Sequence, residues 1–220
     1  MIEVFSRYIE TFLHPFHIQR ELGDKANAPQ KLSEAPLFEE RSVGVKFWEA
    51  ISISWIWYLL HVSFVLFALY VSSLVYEQME GHDILTEILL ETWQSATARA
   101  AVMGVLVSAL IFPISEFIFY KIMTKLIRFF ADLFQNDASD EQIDQVVSCA
   151  LCANAFYVVP FFGRMLSYFA LEFYLFAGLK NNLRMSNLQS FIVVISPILL
   201  IFFSMSVFFT FIILMLGFIF

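Results

Sequence analysis

Five long apolar stretches, separated by shorter polar segments, dominate the pattern along this chain of 220 residues. A helix of about 20 apolar residues crosses the hydrocarbon core of a bilayer and satisfies its backbone polar groups internally. The pattern therefore predicts an all-α integral membrane protein with five transmembrane helices. The predicted spans are 47–76, 97–122, 145–160, 164–178 and 188–220.

Two local signals refine this prediction. The third and fourth spans are short and are separated only by Phe161, Phe162 and Gly163, so we expect them to form a tight antiparallel hairpin. Pro113 and Pro197 fall inside the second and fifth spans, where proline bends or interrupts a helix.

Residues 1–20 precede the first span and carry apolar side chains at helical spacing. The pattern predicts an amphipathic helix that lies at the membrane surface; the alternative is a helix docked on the protein's own cytoplasmic face, and both can hold together. Pro15 is expected to end or bend this helix. The membrane-surface anchors are Phe5, Ile9, Phe12 and Phe16.

Residues 21–46 contain Pro29, Pro36 and many charges without periodicity. This composition is typical of an extended linker, and we interpret the segment as cytoplasmic. The domain organisation is then a surface helix over 1–20, a linker over 21–46 and a five-helix transmembrane domain over 47–220.

The charges give the orientation of the spans. Eleven of the thirteen Lys and Arg residues lie on alternate polar segments, and the exceptions are Arg99 and Arg164. Basic residues concentrate on the cytoplasmic side of membrane proteins. The distribution predicts a cytoplasmic N-terminus and an external C-terminus, with the tip of the hairpin outside.

The composition agrees with a membrane location. Hydrophobic residues make up 60% of the chain, which includes 27 Phe, whereas apolar usage in soluble domains is lower. The net charge of −7 and the lack of a basic arm argue against nucleic acid as a partner. The lipid bilayer is the expected partner.

Six polar side chains fall within or beside the predicted spans: His61, Glu116, Asn154, Arg164, Tyr168 and Glu172. Ionisable groups in a bilayer face the protein interior or a cavity. One interpretation is a proton or cation pathway in which the carboxylates carry the charge, and His61 titrates near neutral pH. The alternative is a static polar network that specifies how the helices dock.

Signals for catalysis are weak. Cys149 and Cys152 form a C-x-x-C pattern, which redox and zinc sites use, but two buried thiols packed between helices explain it more simply. No nucleophile elbow, phosphate loop, zinc-protease helix or dinucleotide fingerprint occurs. We expect no catalytic residue, no metal and no cofactor.

Three short stretches resemble the bacterial branch of the Yip1 family of five-span membrane proteins. They are Phe-Leu-His-Pro-Phe at 12–16, Leu-Glu-Phe-Tyr-Leu-Phe-Ala-Gly-Leu-Lys at 171–180, and the segment 186–197, which starts polar and ends in proline. The resemblance implies five spans, a cytoplasmic N-terminus, an external C-terminus and a bacterial inner membrane. It transfers no functional residue.

Two functions follow from these patterns. The first is a non-enzymatic membrane scaffold or adaptor, homo-oligomeric or bound to other membrane proteins, that serves membrane organisation and trafficking. The alternative is a small channel or transporter for protons, cations or lipid that uses His61, Glu116 and Glu172.

Overall fold

The computed structural model describes residues 2–26, 44–79 and 95–219, with side chains over 2–26, 44–72 and 99–215. Every regular element in these ranges is a helix. The elements are α1 (Ile2–Leu13), α2 (Pro15–Ala26), α3 (Phe47–Met79), α4 (Ser95–Leu133), α5 (Asp140–Ala150), a 3₁₀ helix (Leu151–Val158), α6 (Gly163–Asn181) and α7 (Asn187–Ile219).

Three helices are long and apolar enough to cross a bilayer. The spanning segments are Phe47–Ser72 in α3, Arg99–Leu133 in α4 and Asn187–Met215 in α7. They overlap the first, second and fifth predicted spans. The prediction of an all-α chain is confirmed for the described residues, as is the presence of helices suited to a membrane.

The third and fourth predicted spans lie in shorter elements. Segment 145–160 comprises the end of α5 and the 3₁₀ helix, whereas segment 164–178 lies within α6. The amide of Gly163 donates to the carbonyl of Val159 at 2.9 Å and helps to close the turn between them. Helix α6 carries Arg164, Glu172 and Lys180 within its 19 residues. Among the described residues, length and composition thus identify three helices, rather than five, that could cross a bilayer.

Two glycines set the close packing of this hairpin. A Cβ atom on Gly163 would lie 2.6 Å from the carbonyl oxygen of Phe156, and one on Gly178 would lie 2.6 Å from Cγ1 of Val146. Both distances are far below a normal carbon contact. The two arms therefore approach as closely as they do because neither position carries a side chain.

The centre of the molecule is the 3₁₀ helix together with the last turn of α5. Helices α3 and α6 pack along it, and α1 closes a third side. The side chains at this centre are small or medium-sized and fully buried: Val146, Val147, Ala150, Leu151, Cys152 and Ala153.

The N-terminal segment forms two helices rather than one helix and a linker. Pro15 starts α2, because a first-turn position needs no amide donor, and α2 continues to Ala26. The prediction that the linker begins at residue 21 is therefore wrong for 21–26. Segment 27–43 of that linker lies outside the described residues, as do Met1, residues 80–94 and Phe220.

Both predicted proline sites lie inside continuous helices. Helix α4 runs through Pro113 and α7 runs through Pro197. Early in α7, Ser190 and Val193 are buried against the rest of the molecule, whereas the large apolar side chains from Ile198 onwards are exposed. Most of α7 therefore presents apolar side chains outwards.

Candidate functional site

Ser54 of α3 links α1 to the centre of the molecule. Its Oγ donates to the carbonyl oxygen of Leu151 at 3.1 Å and lies 3.1 Å from the Tyr8 hydroxyl. A serine hydroxyl has a single proton, so Tyr8 is the donor in the second bond. Burial raises the pKa of the Tyr8 phenol well above its ordinary value, which keeps that donor protonated.

Asn154 of the 3₁₀ helix forms the second polar contact. Its Oδ1 accepts a hydrogen bond from the Ser167 hydroxyl of α6 at 2.8 Å. The Glu116 carboxylate of α4 interacts with the Asn154 side chain, but among the described residues Nδ2 of Asn154 has no hydrogen bond of standard geometry. Helices α4 and α6 thus meet the same central amide.

His61 occupies a separate position further along α3. Its Nδ1 lies 3.2 Å from the carbonyl oxygen of Tyr157. Because a carbonyl only accepts, the geometry assigns the proton to Nδ1. Tyr58, one turn earlier, stacks on Phe112 with ring centroids 4.3 Å apart and donates to the Ser108 hydroxyl at 3.1 Å. Aromatic packing therefore surrounds the imidazole.

Arg164 and Tyr168 lie near the tip of the hairpin and are exposed. Nε of Arg164 donates to the Tyr168 hydroxyl, one turn later on the same helix, at 3.3 Å. Glu172, one turn after Tyr168 on α6, is half-buried.

The six predicted residues therefore divide into groups. Glu116 and Asn154 come together at the centre, His61 contacts Tyr157, and Arg164 contacts Tyr168. The described contacts of these groups do not include Glu172. Three participants were missed by sequence reasoning, namely Tyr8, Ser54 and Ser167. Single hydroxyls inside apolar runs were their only local signal.

The four predicted membrane anchors contact other parts of the protein. Phe5 lies 6.2 Å from Trp57 between ring centroids, Phe12 packs edge-on against Phe156 at 5.0 Å, and Phe16 packs edge-on against Phe173 at 5.1 Å. Ile9 packs against the buried core. These contacts agree with the alternative interpretation, in which the helix docks on the protein itself.

In comparisons with protein-family models, curated proteins and solved structures, nothing matches this chain. The geometry alone therefore has to support a function. The resemblance to the Yip1 family stays a prediction.

The two cysteines contribute packing at the centre. Cys149 and Cys152 are free thiols, and their residues are 1% and 0% exposed. Among the described residues, no three His, Cys, Asp or Glu side chains come close enough to hold a metal ion. The hydrogen bonds Tyr8–Ser54, Ser54–Leu151 and Ser167–Asn154 join different helices to one another.

Proposed function

We propose that this protein is a non-enzymatic membrane scaffold with five spans. One observation carries the proposal: the Tyr8–Ser54–Leu151 hydrogen bonds hold α1 against α3 and the 3₁₀ helix. Buried polar groups that join three elements specify the arrangement of helices. The polar network thus serves to build a fixed platform.

The dimensions of the hairpin support five spans. Eleven residues of α5 and eight of the 3₁₀ helix together extend about 32 Å. The 19 residues of α6 extend about 28 Å. Both lengths match the hydrocarbon thickness of about 30 Å. The hairpin therefore crosses the bilayer as two closely packed arms.

The contacts of the hairpin with α3 support the same depth. Tyr157 bonds to His61, which lies about 21 Å from Phe47 along α3. The turn and Arg164 lie beyond Tyr157. Arg164 then reaches the external surface, where a charged side chain is solvated.

The contacts of α1 support an interfacial orientation. Arg7 pairs with Glu49 at 3.1 Å, whereas Phe5 contacts Trp57, and these partners are about 12 Å apart along α3. The polar side of α1 thus faces the cytoplasmic end of α3, and Phe5 docks on α3 at a deeper level. Ile2 and Leu13, which are 89% and 60% exposed, contact lipid.

Self-association along α7 completes the proposal. In the most apolar 18-residue segment of α7 no residue is buried within the protein, whereas 33% of the residues in the corresponding segment of α3 are buried. A second copy or lipid covers this helix, and packing of two α7 helices makes a homo-oligomer. On the resemblance to the Yip1 family, we assign the protein to a bacterial inner membrane, with the N-terminus cytoplasmic and the C-terminus external.

Reconstituted vesicles test the scaffold directly. We expect the full-length protein to change vesicle size and to form oligomers, measured by electron cryo-microscopy and single-molecule photobleaching. The double variant Ile2→Ser/Leu13→Ser should weaken the change in vesicle size, because it removes lipid contacts and spares the docking residues Tyr8 and Phe12.

The matched control is Glu3→Gln/Glu10→Gln, which alters exposed polar positions of the same helix. This control should behave as the wild type. The scaffold is contradicted if the wild type and Ile2→Ser/Leu13→Ser give vesicles of equal size and the protein is monomeric.

A second candidate function is a proton or cation pathway. The observation that favours it is the Glu116 carboxylate beside Asn154, an ionisable group at the centre of the helices. A pathway requires flux that depends on this carboxylate, so proteoliposomes with a pH gradient separate the two functions.

A further inference from the structure

A cleft of about 790 Å³ opens at the cytoplasmic end of the helices. Five parts of the chain enclose it: Arg7 of α1, the end of α2, the segment 44–48 at the start of α3, the middle of α4, and residues 139–148 of and before α5. Clefts of 300–1,000 Å³ are the usual size for small-molecule sites.

Four cationic side chains line the cleft: Arg7, Lys25, Lys46 and Lys121. Arg7 also pairs with Glu49, and the Lys121 ammonium lies 5.4 Å from the ring centroid of Tyr120. Lys46 and Lys121 are exposed, and both line the cleft beside aromatic residues. Such ammonium groups bind phosphate oxygens with charge-assisted hydrogen bonds.

The lining of the cleft also includes two acidic side chains. They are Glu141 and Asp144 of α5, and the Asp144 carboxylate interacts with the Tyr120 hydroxyl. Carboxylates next to a phosphate site would repel an anion that carried no positive charge. The cleft as a whole suits a ligand with a phosphate at one end and an ammonium at the other.

The cleft is continuous with an apolar surface. Trp48 and Phe117 line it with nearly parallel rings 6.3 Å apart, and they are 68% and 39% exposed. Ile114 and Ile118 of α4 extend the exposed apolar surface. Tryptophan and basic residues at this level are typical of the lipid headgroup region.

We propose that this cleft binds the headgroup of an aminophospholipid, whose phosphodiester contacts Lys46 and Lys121 and whose primary ammonium contacts Glu141 and Asp144. The acyl chains lie along Trp48 and Phe117 and continue over α4. The proposal rests on the membrane orientation given under Proposed function, since it requires the cleft at headgroup depth.

Native mass spectrometry of the full-length protein in detergent tests the ligand. Phosphatidylethanolamine, phosphatidylglycerol and phosphatidylcholine with the same acyl chains serve as probes, with glycerophosphoethanolamine as the headgroup without chains. We expect phosphatidylethanolamine to bind about tenfold more tightly than the other two lipids. Glycerophosphoethanolamine should bind far more weakly than its lipid.

Paired variants test which lining residues contact the phosphate and which contact the ammonium. Lys46→Gln/Lys121→Gln should lower the affinity for all three lipids by about tenfold, whereas Glu141→Gln/Asp144→Asn should abolish the preference for phosphatidylethanolamine over phosphatidylglycerol. Lys125→Gln, one turn after Lys121 on α4 and outside the lining, is the matched control and should bind as the wild type. Elution volume and melting temperature identify any variant that misfolds. If the acidic pair misfolds, the single variant Glu141→Gln, at an exposed position, replaces it.

Several results would overturn the proposal. They are equal affinity of the wild type for the three lipids, an unchanged affinity in the lysine pair, or a loss in Lys125→Gln as large as that in the lysine pair. Tight binding of glycerophosphoethanolamine would identify a site for a soluble phosphate ester. The five-span scaffold stands if lipid binding fails but Phe162→Cys, at the tip of the hairpin, is labelled from outside intact cells. The two proposals therefore fail separately.

Discussion

The indole of Trp55 donates a hydrogen bond of 2.9 Å to the carbonyl oxygen of Ala109, which Pro113 leaves without its usual amide donor. A proline lacks the N–H that would bond to the carbonyl four residues earlier. In an apolar environment such a carbonyl needs another donor. Helix α3 thus supplies the donor that allows α4 to continue through its proline.

This relationship predicts a coupling between the two positions. Trp55→Phe should lower the free energy of unfolding by about 1–3 kcal/mol, because the Ala109 carbonyl loses its partner. In a Pro113→Ala background the new amide bonds to Ala109, so the same replacement should cost clearly less. Unfolding in bicelles measures the four proteins of this cycle. An equal cost in both backgrounds would rule out the proposed coupling.

The hydroxyl contacts of Ser54 predict an order of effects. Tyr8→Phe removes one donor but leaves the bond from Ser54 to Leu151, so it should cost about 1 kcal/mol. Ser54→Ala should cost more, because it removes both hydrogen bonds of the Ser54 hydroxyl and leaves the buried Tyr8 hydroxyl without this partner. Hydrogen exchange over α1 reports the loosening. The account is contradicted if Tyr8→Phe loosens α1 more than Ser54→Ala.

Glycine replacements test the packing of the hairpin. Gly163→Ala should destabilise the protein by about 1–3 kcal/mol, because the added methyl meets the Phe156 carbonyl at 2.6 Å in a packed centre. Gly104→Ala on α4 is the control, since nothing lies within 4 Å of its added methyl and alanine favours a helix. Melting temperatures measure both. A loss at Gly104 as large as that at Gly163 would contradict the close packing.

Glu116 provides the test between scaffold and pathway. The scaffold predicts that proteoliposomes hold a pH gradient equally well with the wild type and with Glu116→Gln, because the carboxylate contributes to helix docking and carries no flux. A fluorescent pH indicator inside the vesicles records the decay. Rapid decay with the wild type and its loss with Glu116→Gln, in a variant that keeps its melting temperature, would favour the pathway.

The parts of the fold that depend on local pattern were accessible from the sequence. Helices α3, α4 and α7 follow from long apolar runs. Helix α2 was missed because Pro15 was interpreted as a stop, although proline is also common at the first position of a helix. Ile18 and Leu22 are buried and lie four residues apart. This helical spacing could have indicated α2.

The polar contacts were not accessible in the same way. Ser54 and Leu151 are 97 residues apart in the chain, and no local pattern relates them. The change from α5 to a 3₁₀ helix at Leu151 is likewise decided by packing among α1, α3 and α6. Sequence reasoning identified Asn154 and Glu116 as polar groups in apolar segments, but their mutual contact required the tertiary structure.

The most direct test of the account is whether the hairpin crosses the membrane. Phe162 and Lys180 lie at opposite ends of α6, and both are exposed. The native thiols Cys149 and Cys152 are buried and should stay unlabelled in the folded protein. Intact cells that express Phe162→Cys or Lys180→Cys are treated with a membrane-impermeant maleimide. The account predicts that Phe162→Cys is labelled from outside and that Lys180→Cys is labelled only after permeabilisation. Labelling of Phe162→Cys only after permeabilisation would contradict the five-span arrangement.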